Sequence, residues 1–100
     1  MPTYETSNRF GKDFAKLTAG DQDRFEQVVK ERFVPDLAKG RFRAGLRVKA
    51  IQGADNIFEM TWAPNGRATF QYGDEQVAGE PHVVWRRVGT HDIFDRPPGP

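Results

Sequence analysis

The sequence predicts an α+β domain in which an N-terminal αα-hairpin packs on an antiparallel sheet of four strands, or five with a short first strand. Two periodicities and one turn signal predict it. Before residue 40, apolar side chains recur at helical spacing; after residue 45 they alternate. Ala63-Pro-Asn-Gly66 then separates two alternating runs with a proline-fixed torsion and a glycine free to take positive φ. One hundred residues make a single domain spanning 1–100.

Each element has its own signal. Tyr4 and its neighbours, within 1–9, suggest the short first strand. Phe10, Phe14 and Leu17 stand at i, i+4 and i+7 behind Ser7 and Asn8 as caps, and Gly20 is expected to close that helix. Asp21 is expected to cap a second helix whose face carries Phe25, Val28, Val29 and Phe33. Pro35 disfavours helical geometry at Val34, so this helix should stop or kink there, with Leu37 and Gly40 marking one further turn. Alternation predicts strands over 45–51, 56–63, 67–73 and 82–90. Gly53-Ala-Asp55 links the first pair, and residues 73–81 form a longer, acidic loop. The proline-rich tail, 95–100, cannot continue a central strand.

Composition narrows the function classes. With 37% hydrophobic and 29% charged residues the chain is neither disordered nor collagen-like. No apolar run is long enough to span a membrane, and no secretory signal is evident, so a cytoplasmic protein is expected. Zero cysteines exclude disulfides, thiolate metal sites and a cysteine nucleophile. The net charge of +1 hides a block at 37–54, where Lys39, Arg41, Arg43, Arg47 and Lys49 meet no acid. Such a block suits phosphate through counterion release, or serves as a solvated edge or a dock for an acidic partner.

Sorting strand residues by parity gives two faces. Leu46, Val48, Ala50, Phe58, Met60, Trp62, Ala68, Phe70, Tyr72, Val84 and Val88 form the expected core face. Arg47, Lys49, Glu59, Thr61, Arg67, Thr69, Gln71, Trp85, Arg87 and His91 form the polar one. Arg86 lands on the core face, which predicts a bulge or edge there. Arg and Lys can hold a phosphate, Glu59 can take a proton from a hydroxyl, and His91 can act as acid or base. Trp85 can stack a base, or be covered by a tail or partner. Glu59 can equally pair across strands with Lys49 or Arg67. His82 is the only other histidine and Ser7, at a predicted cap, the sole serine. A histidine-based metal site, a serine nucleophile and a Gly-rich phosphate loop are therefore not expected.

The order of elements and several strings resemble the RelE/ParE superfamily of toxins from type II toxin–antitoxin pairs. The resemblance runs from Phe10-Gly-Lys-Asp-Phe-Ala-Lys-Leu17 through Gly45-Leu-Arg-Val-Lys-Ala-Ile-Gln-Gly53 and Ile57-Phe-Glu-Met-Thr-Trp62. It is most specific in Gly66-Arg-Ala-Thr-Phe-Gln-Tyr72 and His82-Val-Val-Trp-Arg-Arg-Val-Gly-Thr-His-Asp-Ile-Phe94. It implies a RelE-like fold and a cofactor-free, metal-independent endoribonuclease that cuts mRNA on the ribosome through the substrate's 2′-hydroxyl. By the same resemblance Arg67 contacts the scissile phosphate and His91 assists the leaving group or the developing charge. Lys49 holds RNA or moves a proton, and Glu59 matches a glutamate base of some relatives. Lys39, Arg41, Arg43, Arg47, Trp85 and Arg87 are the expected RNA contacts. Phe94 stands where several relatives keep a functional tyrosine, and a phenyl ring can stack but transfers no proton. The implied partners are mRNA, the ribosome with its RNA, and a cognate antitoxin in a hetero-oligomer. A ParE-like, non-catalytic poison of DNA gyrase and an inactive antitoxin-binding relative are the alternatives.

Overall fold

The computed structural model describes residues 1–94, so Phe94's ring and the tail at 95–100 lie outside the described residues. Its elements are β1 (Thr3–Thr6), α1 (Asn8–Lys16), α2 (Ala19–Val28), a π-helical turn (Val29–Phe33) and α3 (Val34–Lys39). A 3₁₀ turn (Ala44–Leu46) leads to β2 (Lys49–Ala50), β3 (Phe58–Ala63), β4 (Gly66–Gly73) and β5 (His82–Thr90), and a last 3₁₀ turn covers His91–Phe94. Among the described residues no helix is long and apolar enough to cross a membrane.

Side-chain caps set the helix starts. The Ser7 hydroxyl accepts the Phe10 N–H at 3.1 Å and donates to the Arg86 carbonyl at 3.0 Å, tying α1 to β5. Gly20 does not close α1. The helix ends at Lys16, Leu17 turns extended, and the Thr18 hydroxyl caps α2 by accepting the Asp21 N–H. Gly20 and Asp21 therefore lie in the first turn of α2, because a threonine one turn earlier already satisfied its donors. Pro35 does not end the helix either: Val34 is helical (φ −62°, ψ −46°) and α3 follows directly. Proline lacks an N–H and its ring collides with the carbonyl four residues back. The wider turn before it, with the Val34 N–H bonded to the Val29 carbonyl, absorbs that conflict. Gly40 then closes α3 at φ 75°.

The sheet order is β1-β5-β4-β3-β2. Neighbours are antiparallel except β1, which runs parallel to β5 with Thr3 opposite His82 and Thr6 opposite Trp85. The expected antiparallel sheet is thus a mixed one, and β1 precedes the hairpin. A parallel neighbour needs a long crossover, and the whole helical layer intervenes between β1 and β5. The strand expected at 45–51 shortens to Lys49–Ala50, because Arg47 at φ 49° ends a 3₁₀ turn and breaks the alternation.

The core lies between the helices and one sheet face, from Phe10, Phe25 and Phe33 to Met60, Phe70 and Trp85. The Trp85 ring meets Phe33 at 4.9 Å, Phe25 at 5.4 Å and Phe70 at 5.5 Å between centroids. Tilted and edge-on aromatic contacts of this kind add about 0.5–1.5 kcal/mol each beyond their area. A bulge at Arg86 explains why Trp85 is here. Thr69 pairs with Arg87 and Phe70 with Trp85, so Arg86 is the extra residue. N-terminal to it the faces of β5 are exchanged: Trp85 and Val83 point into the core and Val84 does not.

Candidate functional site

The sheet face away from the helices carries the polar row. In register across it stand Lys49, Glu59, Thr69 and Arg87, and alongside them Thr61, Arg67 and Gly89. Lys49 Nζ lies 3.7 Å from Glu59 Oε1, so the cross-strand pair expected from spacing forms. Its two members differ: the lysine side chain is 66% exposed and the glutamate 16%, a carboxylate held low with its counter-ion above it. Next in the row, the Thr69 hydroxyl is buried with no hydrogen-bond partner among the described residues. Leaving such a group unpaired costs about 1–3 kcal/mol.

Arg67 and His91 both lie at one end of the sheet. Gly66 pairs with Thr90 and Arg67 with Gly89, so β5 ends beside the β3–β4 turn. The His91 N–H then donates to the Asn65 carbonyl at 3.0 Å. Arg67 folds back on the same turn, where Nη1 donates to the carbonyls of Gly66 (2.9 Å), Pro64 (3.3 Å) and Ala63 (3.4 Å). The Trp62 indole N–H holds the Arg67 carbonyl at 3.0 Å. A Cβ on Gly66 would stand 2.6 Å from the Trp62 ring, so glycine lets this turn lie flat on the core. One nitrogen of Arg67 is thereby anchored; Nε and Nη2 make no hydrogen bond among the described residues, and a guanidinium keeps a fork for an oxyanion. His91 is exposed on the final turn.

Three expected RNA contacts are placed differently from the prediction. Trp85 is 3% exposed on the core face, so it offers no ring to a base; the bulge at Arg86 reverses its parity. Arg87 is engaged, with Nε 2.7 Å from Asp13 Oδ2, and its side chain is 13% exposed. Arg43 clasps Asp36, giving its N–H and Nε at 2.8 Å and Nη2 at 3.0 Å. Those bonds hold the Asp36 carboxyl at a pKa of about 2 and raise that of Arg43. Lys39, Arg41 and Arg47 are exposed, at the end of α3 and along the segment that leads to β2.

Asp13 is the residue that parity sorting of strands missed. It takes Arg87, the Val88 N–H at 3.3 Å and, at 3.9 Å, Arg9. Its signal was present: at i+3 from Phe10 it sits in the apolar stripe of α1, where a carboxylate needs a partner. Among the described residues no group of three or more His, Asp or Glu could hold a metal ion.

Comparison with protein-family models and with curated protein sequences gives no match. Solved structures do match over almost the whole chain. A copper-bound toxin variant from Helicobacter pylori superposes with a TM-score of 0.68 at 20% identity, over 94% of this chain and 99% of that one. The E. coli DinJ–YafQ toxin–antitoxin complex gives 0.65 at 15% identity, over 93% and 96%. The intact E. coli RelBE toxin–antitoxin complex gives 0.58 at 19%, over 90% and 96%. At these identities the likeness is one of fold. This chain has the fold of the RelE/ParE toxins of toxin–antitoxin systems.

Proposed function

We propose that the chain is the toxin of a type II toxin–antitoxin pair, acting in the cytoplasm as a metal-independent endoribonuclease on mRNA bound to the ribosome. The observation that carries this reading is that Arg67 and the backbone of His91 are fastened to the same β3–β4 turn, one step along the polar face from the Lys49–Glu59 pair. In this reading the substrate's 2′-oxygen attacks phosphorus and the bond to the 5′-oxygen breaks. The products are a cyclic phosphate and a free 5′-hydroxyl. Glu59 takes the 2′-hydroxyl proton and Lys49 holds phosphate beside it. Arg67 supports the charge growing on the non-bridging oxygens, and His91 protonates the departing oxygen. Lys39, Arg41 and Arg47 meet RNA more distantly. A cognate antitoxin is the protein partner, as in the DinJ–YafQ and RelBE complexes of the same fold.

Primer extension on a translated mRNA, in a cell-free system containing a metal chelator, tests it. Discrete cuts with the wild type, lost in both Arg67→Ala and His91→Ala, are the expected result. Cuts that persist in both variants would sink the site assignment. Inhibition of growth with no cuts at all would point to a non-catalytic poison instead.

A further inference from the structure

A cleft of about 470 Å³ opens on the side of α1 away from its phenylalanines. Arg9, Lys12 and Lys16 line it from the helix, with Arg87 from β5 and Asp92 and Ile93 from the final turn. Nothing in the reading above uses it. Arg9, Lys12 and Lys16 share one helix face by spacing and extend over eight residues, about 10 Å of helix. Asp13, at the base, is occupied by Arg87 and the Val88 N–H. Four cations therefore face two carboxylates, one of them already paired, and Ile93 is the one aliphatic side chain in the lining.

We propose that this cleft binds the phosphodiester backbone of the single-stranded RNA substrate beyond the cut. The inference rests on the ribonuclease reading and extends it to residues outside the reacting group. Two features choose RNA over a protein segment. Protein interfaces centre on apolar anchors and are depleted of charge, and this lining has the opposite balance. The cleft is also continuous with the candidate site: Arg87 belongs to the row of Lys49 and Glu59, and Asp92 follows His91. A strand whose reactive phosphate lies by Arg67 and His91 reaches α1 by crossing that end of β5. The Arg87–Asp13 pair is the floor it crosses, fixed by two hydrogen bonds from the guanidinium.

The test uses the full chain and a 2′-O-methyl RNA oligomer, which it can bind but not cut. Affinity is measured against salt concentration for the wild type, for Lys12→Gln/Lys16→Gln, and for Lys30→Gln/Arg32→Gln, which removes two exposed cations elsewhere. Loss of two phosphate contacts should weaken binding about tenfold at low salt and flatten the log–log salt slope by about 1.4. The Lys30/Arg32 variant should keep the wild-type slope. Equal slopes in all three proteins would overturn the cleft, as would equal flattening in both variants. If primer extension still shows cuts lost in Arg67→Ala and His91→Ala, the ribonuclease reading survives that result. No binding of the oligomer by the wild type would overturn the cleft, and no cuts on the ribosome would remove the reading beneath it.

Discussion

The two ends of β5 carry the protein's two histidines in opposite settings. His82 opens the strand, is 5% exposed, and has Nδ1 at 2.7 Å from the Thr3 hydroxyl. Its Nε2 is buried, with the Glu5 carboxylate at 3.5 Å. His91 follows the strand, exposed, its backbone fastened to the β3–β4 turn. The divide between them is the bulge at Arg86, where β1 has ended and α1 takes over the edge through Asp13. Pairing with β1 makes the first half of β5 a closed, structural strand. The second half, held by an ion pair and a turn, presents polar groups on an open face. Residue type alone does not distinguish a buried, anchoring imidazole from an exposed one; the element beside it does.

Exchanging which histidine is removed tests that contrast most severely. His91→Ala should lower RNA cleavage by about 10²–10⁴-fold and change the unfolding free energy, read from urea titration, by less than about 0.5 kcal/mol. His82→Ala should do the reverse, with about 2 kcal/mol lost as the Thr3 bond and buried ring disappear, and cleavage kept once the protein is folded. A His82 variant that folds normally yet fails to cut would erase the distinction.

Two glycines repeat the contrast at smaller scale. A Cβ on Gly73 would stand 2.8 Å from the His82 ring, and one on Gly89 would stand 2.8 Å from the Ile93 side chain. The distances agree but the neighbours do not. His82 is buried and held by Thr3, whereas Ile93 is half-buried on the terminal turn. Gly73→Ala should therefore cost about 1–3 kcal/mol in overpacking and leave cleavage intact. Gly89→Ala should cost less stability and more activity, because Ile93 yields by moving the turn that carries His91. Urea midpoints and single-turnover cleavage of the same preparations separate these outcomes; activity lost in the Gly73 variant alone would contradict the assignment of the two ends.

Much of this was legible in the sequence, for identifiable reasons. Alternation placed β3, β4 and β5 within two residues, because each buries one face and period two is then enforced. Helical spacing likewise placed Phe10, Phe25 and Phe33 in the core. Arg86, a charge on the wrong parity, announced the bulge. What parity could not show was its reach: one inserted residue carries Val83 and Trp85 to the core face, and Trp85 leaves the site with them. Asp13 was hidden for a different reason. It belongs to a helix and its partner Arg87 to a strand 74 residues later, and no local pattern links the two. The parallel placement of β1 is long-range in the same sense. Among the candidate site residues, spacing brought Lys49 to Glu59, since opposite charges facing each other on adjacent strands pair locally. It did not show Arg67 turned back onto its own hairpin carbonyls, which depends on the turn's geometry.

The smallest effect lies outside β5 and serves as its control. Asp36, in the first turn of α3, is buried and clasped by Arg43, which lowers its carboxyl from 3.8 to about 2. A carboxylate with a depressed folded pKa binds fewer protons in the folded chain than in the unfolded one. Its contribution to stability is therefore complete above about pH 4 and is lost as the pH falls toward 2. Urea midpoints should decline across that window, and Asp36→Asn should flatten the decline at the cost of a lower midpoint at neutral pH. The same substitution should leave the ratio of His91→Ala to wild-type cleavage unchanged at neutral pH, because the Asp36–Arg43 clasp ties α3 to the approach of β2 and touches neither end of β5. An altered ratio would mean that the open end of β5 depends on the helix layer through more than Asp13, and the division at Arg86 would then be too simple.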